Sequence, residues 1–316
     1  MDRNLALEAV RITEAAALAS ARLMGRGDVS GCDLAAARAM VKAFGSIGIR
    51  GVIVVGNSSD DGEILLEDEI VGNSSGPEID VALDPVEGAA ICATGGLNAL
   101  SIIAFSQRGG FLRCPGTWME KIVVGPEGAG CIDLDKSPSE NLRALAEAKG
   151  VYVADLTVAM LDRPRHEGLI REVRKAGARI RLLADGDVAP AIATAKPDSG
   201  IDMLLGTGGS SQGILTAAAI RCTGGDMQAR LRPRSADEAR RLQEFGIENV
   251  GDRMTLEQMA SGSIMFAATG ITNGDLVRGV RFFRGGATTN SVVMRSRTHT
   301  LRFIEAVHRF DLKPEY

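Results

Sequence analysis

Leu5, Ala9, Ile12, Ala16, Ala19 and Leu23 recur close to every 3.6 residues, which predicts an amphipathic helix over residues 3–24. GRGDVSGCD breaks that pattern, and Asp33 is expected to open a second helix through LAAARAMVKAF. The period then changes. IRGVIVVG and EIDVALD are short apolar runs of the kind buried strands carry, the first leading into the acidic turn NSSDDGE. LNALSIIAFS, flanked by Cys92 and Cys114, is apolar throughout, and periodicity alone leaves helix and strand open there. KIVVGP, LTVAML, ARIRLLA and IDMLLGTG read as further strands, alternating with helices near 139–149, 166–176, 213–221 and 235–246. From residue 263 the chain is strand-rich, through SIMFAATG, VRGVRFFRGGATTNSVVMRS and HTLRFIEAVHR. Such alternation predicts a layered α/β fold. A division near residue 180 gives two expected domains, 1–180 and 181–316.

Composition narrows the function classes. The 316 residues are 45% hydrophobic and 24% charged, ordinary for a globular chain of one large or two moderate domains. A net charge of −4 without a long basic stripe argues against nucleic acid as the main partner. No apolar stretch reaches the roughly 20 residues a membrane span needs, and the acid-containing amphipathic start is unlike a secretory signal. The five cysteines form no CxxC pair, so reduced thiols in a cytoplasmic protein are expected. His299 and His308, on the alternating C-terminal stretch, are expected to be structural.

The candidate chemistry begins at VALDPVEGAA. Asp84 and Glu87 flank Pro85 at the end of an apolar strand, where a turn would bring both carboxylates to one side to share a cation. Phosphoryl-transfer centres of this kind use about four or five acids to hold two or more divalent ions. Taken alone, the stretch reads better as a capped turn with two exposed acids. LLGTGGSSQG, before the apolar helix ILTAAAIRC, lacks the P-loop lysine, but Gly206–Gly209 could offer backbone N–H groups to an anion. RLRPRSADEARRLQEF reads as a solvated helix with its approach loop.

Several motifs in order carry a resemblance across almost the whole chain: ALEAVRITEAAALA, MGRGD, DPVEG, WMEKIVVGPEG, RPRH, DGDVAPAI, GTGGSSQG, GDMQARL, ATGITNGDL and a late TT before a strand. With these the chain resembles the class II fructose-1,6-bisphosphatases of the lithium-sensitive sugar and inositol phosphatase superfamily. The resemblance implies an α/β/α/β/α sandwich, hydrolysis of the 1-phosphate of fructose 1,6-bisphosphate (with sedoheptulose 1,7-bisphosphate in some members), Mg²⁺ or Mn²⁺ as cofactor, and a homodimer or homotetramer. It places Asp33, Asp84 and Glu87 at metal-binding and catalytic positions. It also assigns sugar-phosphate contacts to Glu87, Gly88, Ala89, Trp118, Arg163, Arg165, Asp185, Gly186, Asp187, Gly209 and Gln212, with His166 beside the arginines. Trp118 stands where the family usually has tyrosine.

The catalytic centre departs from the family. Asn57 and Gln212 replace two glutamates, Ala89 replaces the threonine that orients the attacking water, and Ala90 replaces an arginine or similar residue. Of five expected carboxylates, Asp33, Asp84 and Glu87 remain, so two negative charges are lost where hard cations should sit. Asp60, Asp61 and Glu63, just beyond the altered turn, are candidate substitutes, Asp60 and Asp61 with Asn57 as further possible ligands. Three functions are therefore expected to compete. One is a phosphatase-like enzyme with a depleted metal centre, acting on a phosphorylated sugar. Another is an isomerase, epimerase or lyase using Asp84, Glu87, Asp185 or Asp187 as bases. The third is a catalytically inactive sugar-phosphate-binding or regulatory paralogue.

Overall fold

Asp28, not Asp33, opens the second helix in the computed structural model, which describes residues 5–57 and 64–312. Its carboxylate accepts the Gly31 N–H at 2.8 Å, an N-cap that the five-residue-later Asp33 cannot supply once the helix is under way. In chain order the first stretch holds α1 (Leu5–Ala21), α2 (Val29–Phe44), β1 (Arg50–Val55), β2 (Ile70–Val71), β3 (Glu78–Glu87), α3 (Ala89–Thr94) and β4 (Leu100–Gln107). There follow β5 (Trp118–Val124), α4 (Pro138–Lys149), β6 (Thr157–Leu161), α5 (Glu167–Ala176), β7 (Arg179–Leu183), α6 (Val188–Ala193), β8 (Met203–Gly209), α7 (Ser210–Thr223), β9 (Asp226–Arg232), α8 (Ala236–Glu244), β10 (Met254–Thr255) and α9 (Leu256–Met259). The last stretch holds β11 (Ile264–Gly270), β12 (Arg281–Phe283), β13 (Gly286–Arg295) and β14 (Thr300–Arg309).

Two compact units result. The first combines Met1–Phe111 with Gly262–Tyr316, and the second is Leu112–Ser261. A boundary at residue 180 would cut β7 in the middle of the second unit; the chain instead leaves the first unit and returns to it. Each unit is a sheet with packed helices, the mixed α/β architecture expected for the sandwich class.

In the first unit the strand order is β12-β13-β11-β4-β3-β1-β2, with β14 added to β13. α1 and α2 bury Ile12, Ala16, Ala36 and Met40 against Ile53, Val81, Phe105 and Met265. LNALSIIAFS proves to be β4, hydrogen-bonded to β3 on one side and β11 on the other. Its residues through Ser106 are buried on both faces, which is why it shows no alternation. In the second unit the order is β10-β9-β5-β8-β6-β7. Ile122, Val158, Met160 and Met203 pack there against Leu142 and Leu145 of α4 and Val173 of α5. α7 is buried almost all round and lies so close to β5 that a Cβ on Gly213 would sit 2.2 Å from Met119 Sδ. Among the described residues no helix is long and apolar enough to cross a membrane.

Candidate functional site

The carboxylates of the first unit are positioned by an irregular strand. Asp84 pairs with Ile102 of β4, yet Glu87, three residues on, pairs with Leu100, only two residues away. One extra residue on β3 is a β-bulge, and proline is tolerated at such a point because it owes the ladder no N–H. In a regular strand residues three apart face opposite sides. Because Ile102 and Leu100 share a face, the bulge brings Asp84 and Glu87 to one side, the outcome expected from the sequence by a different local structure. Asp84 Oδ1 accepts the Val86 N–H at 3.1 Å. Glu87 is 1% exposed, which removes the reading of two exposed acids. Gly88, at φ 82°, turns the chain into α3, whose first residue is Ala89.

Asp33 lies on α2 and is buried, and its Oδ2 accepts a hydrogen bond from Asn57 Nδ2 at 2.7 Å. This contact changes the electrostatics of the site. A glutamate at 57 would face Asp33 as a like charge and need a cation between them. The amide offers a proton instead and satisfies the carboxylate without one. Asp60, Asp61 and Glu63 lie outside the described residues. Among the described residues no group of three or more His, Cys, Asp or Glu side chains is arranged to hold a metal ion. Among the described residues of the first unit the donors do not assemble a two-ion centre: Asp33 is engaged by the Asn57 amide, and position 57 offers no carboxylate. Beside Asp33, the Cys32 thiol is pushed up to about 12 by burial and by its contact with Cys92, so it is no nucleophile.

The second unit assembles a cationic and aromatic cluster. Trp118, at the start of β5, has the Arg165 guanidinium carbon 4.6 Å from its ring centroid and that of Arg234 at 5.8 Å. Arg165 is fixed by donating Nε and Nη2 to Thr207 O at 3.0 and 2.8 Å. Burial first, then repulsion from Arg163, lowers its pKa. Arg163 donates to Ala184 O at 2.7 Å and approaches Asp185 Oδ1 at 3.4 Å. Gly186 supplies the positive φ of 69° between the two loop acids.

Asp187 stands at the N-cap position of α6 without a side-chain cap hydrogen bond and forms a buried ion pair with Lys121, Nζ to Oδ2 2.7 Å, with side-chain exposures of 5% and 1%. Asp187 Oδ1 is left as a buried acceptor without a hydrogen bond among the described residues. Gly208 makes room for this pair, since a Cβ there would lie 2.5 Å from Asp187 Oδ2. The glycine cluster is thus strand rather than an anion-binding loop: Gly206–Gly209 pair with Lys121–Trp118, and the Thr207 N–H donates to His166 Nε2 at 2.8 Å. His166 Nδ1 contacts Leu161 O at 2.8 Å, which fixes the neutral tautomer, and burial lowers its pKa. It is a structural pin behind the arginines. Gly209 stands at the N-cap of α7, and Gln212 Oε1 lies over it, 2.3 Å from where a Cβ would be.

Two of these residues escaped the sequence reading. Lys121 was one letter in an apolar strand; a lone lysine inside KIVV is the available signal. Arg234 sits in the segment read as solvated, but Glu238 anchors it through its N–H at 2.8 Å and Nε at 2.7 Å while also accepting from Thr117 Oγ1. These contacts, the Arg234 guanidinium foremost, hold the Glu238 carboxyl down at about 2.

A helix-covered α/β fold carrying paired acids in one unit and an arginine–tryptophan cluster in the other is of the sugar-phosphatase class. A family model described as bacterial fructose-1,6-bisphosphatase, glpX-encoded, matches residues 3–308, and the chain belongs to that family. It is 40% identical to a D-fructose 1,6-bisphosphatase class 2/sedoheptulose 1,7-bisphosphatase of Synechococcus sp. (strain JA-3-3Ab), over 98% of this chain and 97% of the relative. It is also 40% identical to fructose-1,6-bisphosphatase 1 class 2 of Escherichia coli (strain K12), over 99% and 97%.

Proposed function

We propose that the protein acts on a phosphorylated sugar of the fructose 1,6-bisphosphate type as a phosphatase-like enzyme whose metal centre is depleted. The observation that carries this reading is the hydrogen bond from Asn57 to Asp33, which satisfies without a cation a carboxylate that the family resemblance assigns to metal. In the second unit, Trp118, Arg163 and Arg165 would grip a phosphate and the sugar face, arginine's planar fork matching phosphate oxygens. Asp185, turned by Gly186, would accept sugar hydroxyls, with Asp187 buried against Lys121 supporting the loop. Gln212 would donate to a phosphate oxygen that a glutamate would repel, and Gly88, Ala89 and Gly209 would lend backbone contacts. Asp33, Asp84 and Glu87 would retain at most weak affinity for Mg²⁺ or Mn²⁺. A homodimer or homotetramer in the cytoplasm fits the family and the five free thiols.

The same Asn57–Asp33 contact favours a second reading, a sugar-phosphate binder without hydrolysis. One experiment separates them: titration with fructose 1,6-bisphosphate, with and without Mn²⁺, following binding heat and released phosphate together. Binding that ignores Mn²⁺, with slow metal-dependent release, is the expected outcome. Binding with no release supports the second reading, and absence of binding refutes both.

A further inference from the structure

β14 closes one edge of the first unit's sheet and, among the described residues, pairs with β13 alone. It runs ten residues in unbroken register, without a proline or a bulge. Such edges are ordinarily short, bulged or covered, because their open N–H and C=O groups recruit other strands. This one also carries Phe303 and Val307, 55% and 61% exposed.

The direction of the open groups follows from one hydrogen bond. The Phe310 N–H donates to Gly285 O, flanking the Gly286–Arg309 pair. In an antiparallel ladder this makes Gly286–Arg309 a non-hydrogen-bonded pair. The even-numbered residues of β14 therefore bond to β13, and Leu301, Phe303, Glu305, Val307 and Arg309 point their backbone groups outward. Those same residues share one face.

We propose that this edge pairs with β14 of a second copy, antiparallel about a two-fold axis through Val307. Charge selects that register. Glu305 and Arg309 are about 13 Å apart along an extended strand, too far to pair within the chain. With Val307 opposite Val307 of the second copy, each Glu305 faces the other copy's Arg309, giving two cross-strand ion pairs. Centring the axis on Glu305 instead would oppose two glutamates, and centring it on Phe303 leaves both charges unmatched. The axis at Val307 falls between outward-pointing backbone groups, so the central pair exchanges both of its hydrogen bonds. A two-fold contact of this kind uses one patch twice, as closed homo-oligomers require.

The test is the solution mass by sedimentation velocity over a wide concentration series, with circular dichroism and melting as checks on folding. Val307→Pro removes an N–H that β13 does not use, so the fold tolerates it while the edge is blocked. Val307→Pro and Glu305→Arg are each expected to halve the mass, and Glu305→Arg with Arg309→Glu to restore it. A wild-type monomer at every concentration, a folded single variant of unchanged mass, or a double swap that stays at half mass would each overturn the proposal.

Discussion

The two units have met different fates. In the first, a buried carboxylate is neutralised by an amide, Asn57 against Asp33, and α3 opens on Ala89, which offers no hydroxyl. In the second, charge is concentrated and braced, with Arg165 and Arg234 over Trp118 and Lys121 locked to Asp187 beneath. Recognition of a phosphate needs fixed donors, which a buried scaffold supplies at all times. Hydrolysis through cations needs several carboxylates held close together, an arrangement stable only with the cations present. The second kind of site is the easier to lose, because every acid removed relieves repulsion in the metal-free protein.

The sharpest way to break the contrast is to remove the brace. Lys121→Met leaves Asp187 as an unpaired buried carboxylate and is expected to cost about 3–5 kcal/mol in stability by denaturant unfolding. Lys121→Met with Asp187→Leu should recover much of that loss; an unchanged midpoint in the single variant would refute the brace.

Next in size is the attempt to refill the first unit. Asn57→Glu with Ala89→Thr is expected to raise Mn²⁺-dependent phosphate release by roughly 10²-fold, the scale of one restored catalytic interaction. Asn57→Glu alone should melt earlier without metal and regain the loss with Mn²⁺, whereas the melting of the wild type should respond far less to the ion. No response of either variant to Mn²⁺ would mean that the altered side chains are not what limits the centre.

A smaller effect is expected at the arginine cluster. Arg165→Ala should weaken fructose 1,6-bisphosphate binding about 10- to 100-fold, the range for a lost hydrogen bond to a charged group. Arg165→Lys should recover little of it, since an ammonium lacks the planar fork. Equal affinity for Arg165→Lys and wild type, measured by calorimetry, would remove the argument from geometry.

The smallest concerns pH. His166 is held neutral with its pKa lowered from 6.5, so the unfolded chain binds more protons than the folded one below that value. Its contribution to stability is full above about 6.5 and falls as pH drops toward the lowered folded value. Comparing unfolding of wild type and His166→Gln on both sides of this value should show the shallower pH slope in the variant.

Most of the fold was legible because apolar period changes with element type, and the motifs carried the family. What escaped had identifiable physical causes. Asp28 caps α2 through a hydrogen bond to Gly31, and nothing in the apolar pattern separates it from Asp33. β4 hid its type because burial on both faces erases alternation. Lys121 and Arg234 take their meaning from partners far along the chain, Asp187 and Trp118, which no local spacing reveals. The division of the chain was illegible for a related reason: the first unit is closed by strands that return after residue 261.

The bulge at Pro85 makes the acidic pair a matter of chain length as much as of residue identity. Asp84 and Glu87 share a face only because β3 carries one residue more than β4 across that interval. Regularising β3 without shortening it would keep both acids in the sequence, three residues apart, and send them to opposite sides of the sheet. Exchanging either acid for an amide would leave the spacing intact for a later reversal. Point changes at the acids can be undone one side chain at a time, whereas loss of the bulge at unchanged length would take the geometry with it.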